Sequence, residues 1–206
     1  MFSTYRDMFA VCAVALFCLM SVSHSAPLSC EDLVRPLDQL DPHHLEGRWA
    51  LVAGSLGNPE HLESFKRRNS STINFSNAGA NSTILYTPNV DFGGKCVYHT
   101  YNISLEGSTF TFDVRDPVNL TVTFLRTSCP DCLPMRFDDS ESKKPLRLFL
   151  FSRRRELEQK EMEEYGAQVE CLNMLPPAVM DPNKELCPEQ SVSDPAAAQT
   201  EEKQKS

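Results

Sequence analysis

The stretch "HHLEGRWALVAGS", His43 to Ser55, contains Trp49, the single tryptophan of the chain, two residues after a glycine and at the head of a short apolar run. Tryptophan carries one of the largest apolar surfaces of any side chain and usually marks a core. Here it stands at the beginning of a strand-like run rather than in its middle, and the flanking sequence has to explain why.

Upstream, Arg6 precedes the apolar run Met8 to Met20 ("MFAVCAVALFCLM"), with the small residues Ser23 and Ser25 beyond it. This is the pattern of a secretory signal peptide, residues 1–25, cut after Ser25. The run is shorter than the roughly 20 apolar residues that span a bilayer, so no membrane span is expected. What remains suits one domain, predicted over residues 26–187. The final stretch, residues 188–206, offers little to bury and reads as a disordered, polar and acidic tail.

The net charge is −8. An acidic surface disfavours nucleic acid and anionic membranes as partners. The basic cluster Lys143, Lys144, Arg153, Arg154 and Arg155 has acidic neighbours and reads as a solvated face. With the signal removed, six cysteines remain: Cys30, Cys96, Cys129, Cys132, Cys171 and Cys187. An even set in an exported chain implies three disulfides, for which fifteen connectivities exist. Five N-x-S/T sequons, at Asn69, Asn74, Asn81, Asn102 and Asn119, point to the same extracellular compartment and a glycoprotein.

After Trp49 to Ala53, "NPEHLESFKRR" reads as a short helix with Asn58 as N-cap and Pro59 at the first helical position. Seven brief β-branched and aromatic segments follow, from "STINFS" to "LRLFLFS", separated by turn signals. Eight strands in all, at regular spacing, predict an antiparallel sandwich or closed barrel. Arg154 to Leu172 then changes to helical periodicity, giving one C-terminal helix that ends at Asn173 or before Pro176-Pro177.

Strand side chains alternate with period two, so one outward residue assigns its neighbours. A glycan must face solvent. Asn102 outside turns Val97, His99, Tyr101 and Ile103 inward; Asn119 outside does the same for Leu120, Val122 and Phe124. Asn74 places Ile73 and Phe75 within, and Asn81 places Ile84 and Tyr86 within. "STFTFDV" alternates threonine with Phe110, Phe112 and Val114, its inner set. An eight-stranded barrel is just wide enough to be filled by such residues or to hold one small ligand.

Gly47-Arg48-Trp49 at the head of the first strand, and "LRLFLFSR" running into a long helix, resemble the G-x-W motif and the final strand with its arginine in lipocalins. "VECLNMLPPAVMDPNKELC", "EGSTFTF" and "RTSCP" are similar to the alpha-1-acid glycoprotein (orosomucoid) and apolipoprotein M branch, which includes fish plasma proteins that bind toxins or organotin compounds. The resemblance runs from Cys30 to Cys187, diffuse in the middle; a T-D-Y-like second motif is missing, and Cys132 replaces a cysteine expected near the helix. It implies an eight-stranded antiparallel up-and-down barrel, all-β apart from one C-terminal helix packed outside. It implies that Arg153 lies across Trp49 to close the base, which explains the tryptophan's position. It also implies pairing of Cys30 with Cys171 and of Cys96 with Cys187, and a monomeric plasma carrier of lipids, drugs, toxins or similar xenobiotics.

With that template, parity from Trp49 puts Leu51 and Ala53 inside, and parity from Arg153 puts Arg147, Phe149 and Phe151 inside with Leu148 and Leu150 facing the helix. The expected calyx lining is Leu51, Phe75, Tyr86, His99, Tyr101, Phe110, Phe112, Arg147, Phe149 and Phe151, with Arg147 and His99 as polar contacts. A guanidinium in such a place meets an anion or a protein carboxylate such as Asp113. "CPDC", Cys129 to Cys132, is the one motif that could carry thiol–disulfide chemistry, but Pro134 and a strand-like run follow it in place of a helix N-terminus, which favours a structural disulfide. His43-His44 point apart and read as solvated. No catalytic grouping, metal site or cofactor is expected; the alternative to a carrier is an immune-modulating glycoprotein acting through receptors.

Overall fold

The computed structural model describes residues 28–77, 83–111 and 119–189. The signal peptide, most of the tail, Asn81, Phe112, Asp113 and Val114 lie outside the described residues. In chain order the elements are α1 (Cys30–Leu33), α2 (Pro42–Leu45), β1 (Gly47–Leu56), α3 (Pro59–Lys66), β2 (Ser70–Asn77), β3 (Thr83–Phe92), β4 (Lys95–Tyr98), β5 (Tyr101–Ser104), β6 (Thr109–Thr111), β7 (Leu120–Phe124), β8 (Cys132–Asp139), β9 (Pro145–Ser152), α4 (Gln159–Cys171) and β10 (Ala178–Val179).

One antiparallel sheet runs β4-β3-β2-β1-β9-β8-β7-β6, with β5 also on β3 and β10 on β1. Ring contacts show how tightly it curls. Tyr86 on β3 and Phe110 on β6 are six ladders apart, roughly 29 Å in a flat sheet at about 4.8 Å per strand. Their ring centroids lie 5.7 Å apart. The curl returns β5 beside β6 across the Glu106–Thr109 bridge, without a β5–β6 ladder among the described residues.

The segment "KCVYHTYNIS", Lys95 to Ser104, which reads as one strand in the sequence, is split into β4 and β5, and Pro88 is the cause. It lies on β3 between the residues that pair with β4 (89–92) and those that pair with β5 (83–86). Proline has no N–H to give a ladder, so only its carbonyl is used, accepting from the His99 amide at 3.0 Å. A second correction concerns Ala53. The β1–β9 register shifts between Leu51 and Ala53, so Val52 is a bulge, and its carbonyl accepts from the Met180 amide at 2.8 Å. One extra residue inverts the parity beyond it. Ala53 therefore packs in the cluster under α4, and Gly54 takes the inner position opposite Phe149.

Two cores result. Inside the curl lie Trp49, Leu51, Ile73, Phe75, Tyr86, Phe110, Phe124, Met135, Phe149 and Phe151. On the outer face Leu148 and Leu150 meet Tyr165 and Val169 of α4, whose Tyr165 hydroxyl donates to the Leu148 carbonyl at 2.6 Å. β9 thus faces the interior with one parity and the helix with the other, as expected. The helix begins later than Arg154 because Glu158 and Glu161 form a capping box there. Asn173, at φ +53°, ends it in a left-handed cap, with the Met174 amide bonded back to the Val169 carbonyl.

Disulfides join Cys30 to Cys171, Cys96 to Cys187 and Cys129 to Cys132. The first two bridge sequence separations of 141 and 91 residues. In the chain-entropy account, bridges of that reach each stabilise by about 4–5 kcal/mol. The Cys96–Cys187 bond fastens a C-terminal strap across β1 to β4. Ser70 Oγ donates to the Glu185 carbonyl at 2.7 Å, the Tyr98 hydroxyl donates to that of Pro188 at 2.8 Å, and Arg48 donates to that of Cys187.

Candidate ligand-binding site

The two ends of the curled sheet are built differently. At the end where β1 begins, Trp49 is fully buried and its Nε1 donates to the Leu45 carbonyl of α2 at 2.8 Å. The Arg153 guanidinium lies over the indole at 3.7 Å from the centroid. Its nitrogens also donate to the carbonyls of Arg48, His44 and Glu46 at 2.8, 3.1 and 2.6 Å. Gly47, at φ +91°, makes room: a Cβ there would come within 3.2 Å of Arg153 Nη1. This end is sealed.

Four rings form a closed circuit across the interior, with Phe75 opposite Gly47 at the start of β1. Phe75 lies 5.2 Å from Tyr86, Tyr86 5.7 Å from Phe110, Phe110 5.7 Å from Phe124, and Phe124 6.2 Å from Phe75. Burial pushes the Tyr86 phenol well above its ordinary range. Such tilted and edge-on pairs add to the burial of the rings themselves.

The opposite end is hollow. A cavity of about 380 Å³ opens there, walled by Ile73, Pro88, Val90, Leu120, Phe137, Phe149 and Phe151. Its polar groups are Arg68, Ser71, Tyr86, His99, Tyr101 and Arg147. Val97 and Phe92 complete the rim, at 40% and 42% exposure. Of the ten residues expected to line the calyx, six do so: Tyr86, His99, Tyr101, Arg147, Phe149 and Phe151. Leu51, Phe75 and Phe110 belong instead to the packed interior, at 3%, 1% and 1% exposure. Phe112 lies outside the described residues.

Arg68 is the group that sequence reasoning missed. Asn58 caps α3 by accepting from the Glu60 and His61 amides, and Pro59 starts the helix. Leu62 and Phe65 are its buried face, with the Phe65 ring stacked on Phe149 at 5.4 Å. This close seat depends on Gly54, since a Cβ there would fall 2.3 Å from the Phe65 ring. Two residues past the end of the helix comes Arg68, whose amide donates back to the Phe65 carbonyl at 3.1 Å and whose guanidinium reaches over Phe65, Phe92 and Phe149 at 4.9, 5.7 and 6.0 Å. Its Nε is buried without a hydrogen-bond partner among the described residues. Burial, and then the positive charge of Arg147, hold Arg68 down to about 10, so it remains a cation at physiological pH. The spacing Leu62, Phe65, Arg68 is a helical i, i+3 series and was the available signal. It lay hidden in the charged run "FKRRN".

The Cys129–Cys132 pair is bonded and 3% and 5% exposed. Arg154 holds Asp131 at 2.6 Å and Glu161 at 2.7 Å beside it, keeping both carboxyls below their usual range. A thiolate attacking such buried sulfurs has no open approach, and the network reads as the brace between β8 and α4.

Comparison with known proteins agrees with this architecture. No curated protein matches the sequence. The chain resembles the structure of the siderocalin Ex-FABP, described as functioning through dual ligand specificities, at 16% identity and a TM-score of 0.55, over 72% of this chain and 97% of that one. It likewise resembles lipocalin 12 from rat epididymis at 16% identity and a TM-score of 0.59, over 79% and 93% of the two chains. At that identity the likeness speaks to fold. The ApoM domain model matches residues 19–191. A sealed base, an open hollow and that match over most of the sequence agree: the chain belongs to the ApoM domain family of the lipocalins.

Proposed function

We propose that the protein is an extracellular carrier that takes a small amphipathic molecule into its open end. The observation that carries this reading is Arg68, a cation whose buried Nε lacks a partner among the described residues, set on aromatic faces at the rim of a hollow walled mainly by aliphatic and aromatic side chains. Small-molecule sites combine an apolar wall with a few convergent polar groups, and about 300–1,000 Å³ is the usual range for them. An acidic head beside Arg68 and Arg147 would lessen their mutual repulsion, while the apolar body meets Phe149, Phe151 and Phe137. Lipocalins as a rule bind rather than catalyse, and we assign this chain no reaction.

Removal of residues 1–25, export to plasma and glycans on the sequons belong to the same proposal. Asn102 and Asn119 are exposed, which suits them to carry sugar, whereas Asn69 is half-buried. The decisive experiment is mass spectrometry of the organic extract of native protein, with titration by anilinonaphthalene sulfonate, an anionic aromatic reporter. Saturable binding weakened by Phe149→Ala and by Arg147→Ala in folded protein is expected. A native protein that carries nothing and does not bind the reporter overturns the reading.

A further inference from the structure

We infer that the circuit of Phe75, Tyr86, Phe110 and Phe124 is a floor that limits the length of the ligand, so that the site takes compact or short-chain molecules and rejects long-chain ones; this rests on the carrier reading above. Each of the four rings touches two others at 5.2–6.2 Å, and they come from β2, β3, β6 and β7, opposite walls of the curl. Three of them are 1% exposed or less, and only Tyr86 shows a surface to the cavity. Trp49, Leu51 and Met135, each 3% exposed or less, belong to the same packed cluster as these rings. The hollow above the floor, about 380 Å³, is at the small end of the roughly 300–1,000 Å³ usual for small-molecule sites. A straight-chain acid whose carboxylate stays beside Arg68 therefore meets the floor after a short chain, about ten carbons for a site of this small size. A longer chain must either push its head past the arginines or leave methylenes in water.

The test is calorimetric titration of the whole mature protein with saturated straight-chain carboxylates from six to eighteen carbons, each below its micelle concentration. Affinity is expected to climb about fourfold per methylene up to roughly ten carbons and then to level off or fall. Phe110→Leu and Phe124→Leu, which shorten the floor while keeping it apolar, should move the maximum to longer chains. Arg68→Met should weaken every length by the same factor. A climb that continues through eighteen carbons in the unaltered protein overturns the floor and leaves the carrier reading standing. A maximum near ten carbons that stays put in folded Phe110→Leu and Phe124→Leu variants overturns the assignment to these rings. Absence of binding at every length overturns both proposals. Should either variant fail to fold by circular dichroism, the series on the unaltered protein decides the length limit.

Discussion

Two arginines lie on aromatic rings at opposite ends of this molecule, and they differ in what surrounds their nitrogens. Arg153 sits 3.7 Å over Trp49 and donates to three carbonyls. Arg68 sits over Phe65, Phe92 and Phe149 at longer range, with a buried Nε that no described group accepts. Both gain from the rings. Only the first also has its hydrogen bonds satisfied within the fold. A guanidinium whose donors are used locally is part of the scaffold; one held in the same kind of aromatic bed with a donor idle is suited to recognition.

That contrast breaks most severely at Trp49. Trp49→Ala removes a fully buried ring and the face on which Arg153 lies, and should cost about 3–5 kcal/mol in chemical denaturation; a loss under 1 kcal/mol would mean the base is not sealed by the indole. Arg153→Met keeps the stem but forfeits three charged hydrogen bonds and the ring contact, and we expect a loss of about 2 kcal/mol. Arg68→Met should behave in the opposite sense: an unchanged or slightly raised melting temperature, with affinity for anilinonaphthalene sulfonate down roughly tenfold, the scale of one charge-assisted hydrogen bond. Equal stability losses for the two arginine variants would abolish the distinction between the ends.

The smallest effect is in alkali. Burial raises the ionisation of Tyr86 and Tyr165 above its ordinary value of 10. Both stay neutral in the folded state after the unfolded chain has begun to ionise, so their contribution is complete below pH 10 and declines above it. Arg68, lowered to about 10, acts the other way, since above that pH the folded state sheds a proton that the unfolded chain keeps. Denaturation midpoints should therefore fall as pH rises past 10, and fall more steeply in Arg68→Met.

Much of this was legible in the residues. Sugar-acceptor positions and period-two alternation marked the inward set on β2, β3, β5 and β7, and parity from Arg153 marked it on β9, because a strand offers only two faces. Asn58-Pro59 announced α3 by capping chemistry alone. The bulge at Val52 left no trace, since neither glycine nor proline marks it and its cause, the Met180 amide, lies far along the chain. Parity failed there for Ala53. Leu51, Phe75 and Phe110 were rightly turned inward, but alternation gives the face and not the depth, so it could not separate floor from hollow. Arg68 escaped because it follows a helix and enters the site from above the rim, where no strand pattern reaches.

Gly54 touches no ligand in this arrangement, yet its lack of a side chain decides how low α3 rides on the sheet. The height of that helix fixes how far Arg68 leans across the opening. A single methyl group added at this position would lift the lintel of the doorway and carry its charge away with it, so that the aperture is gauged by an atom the protein does without.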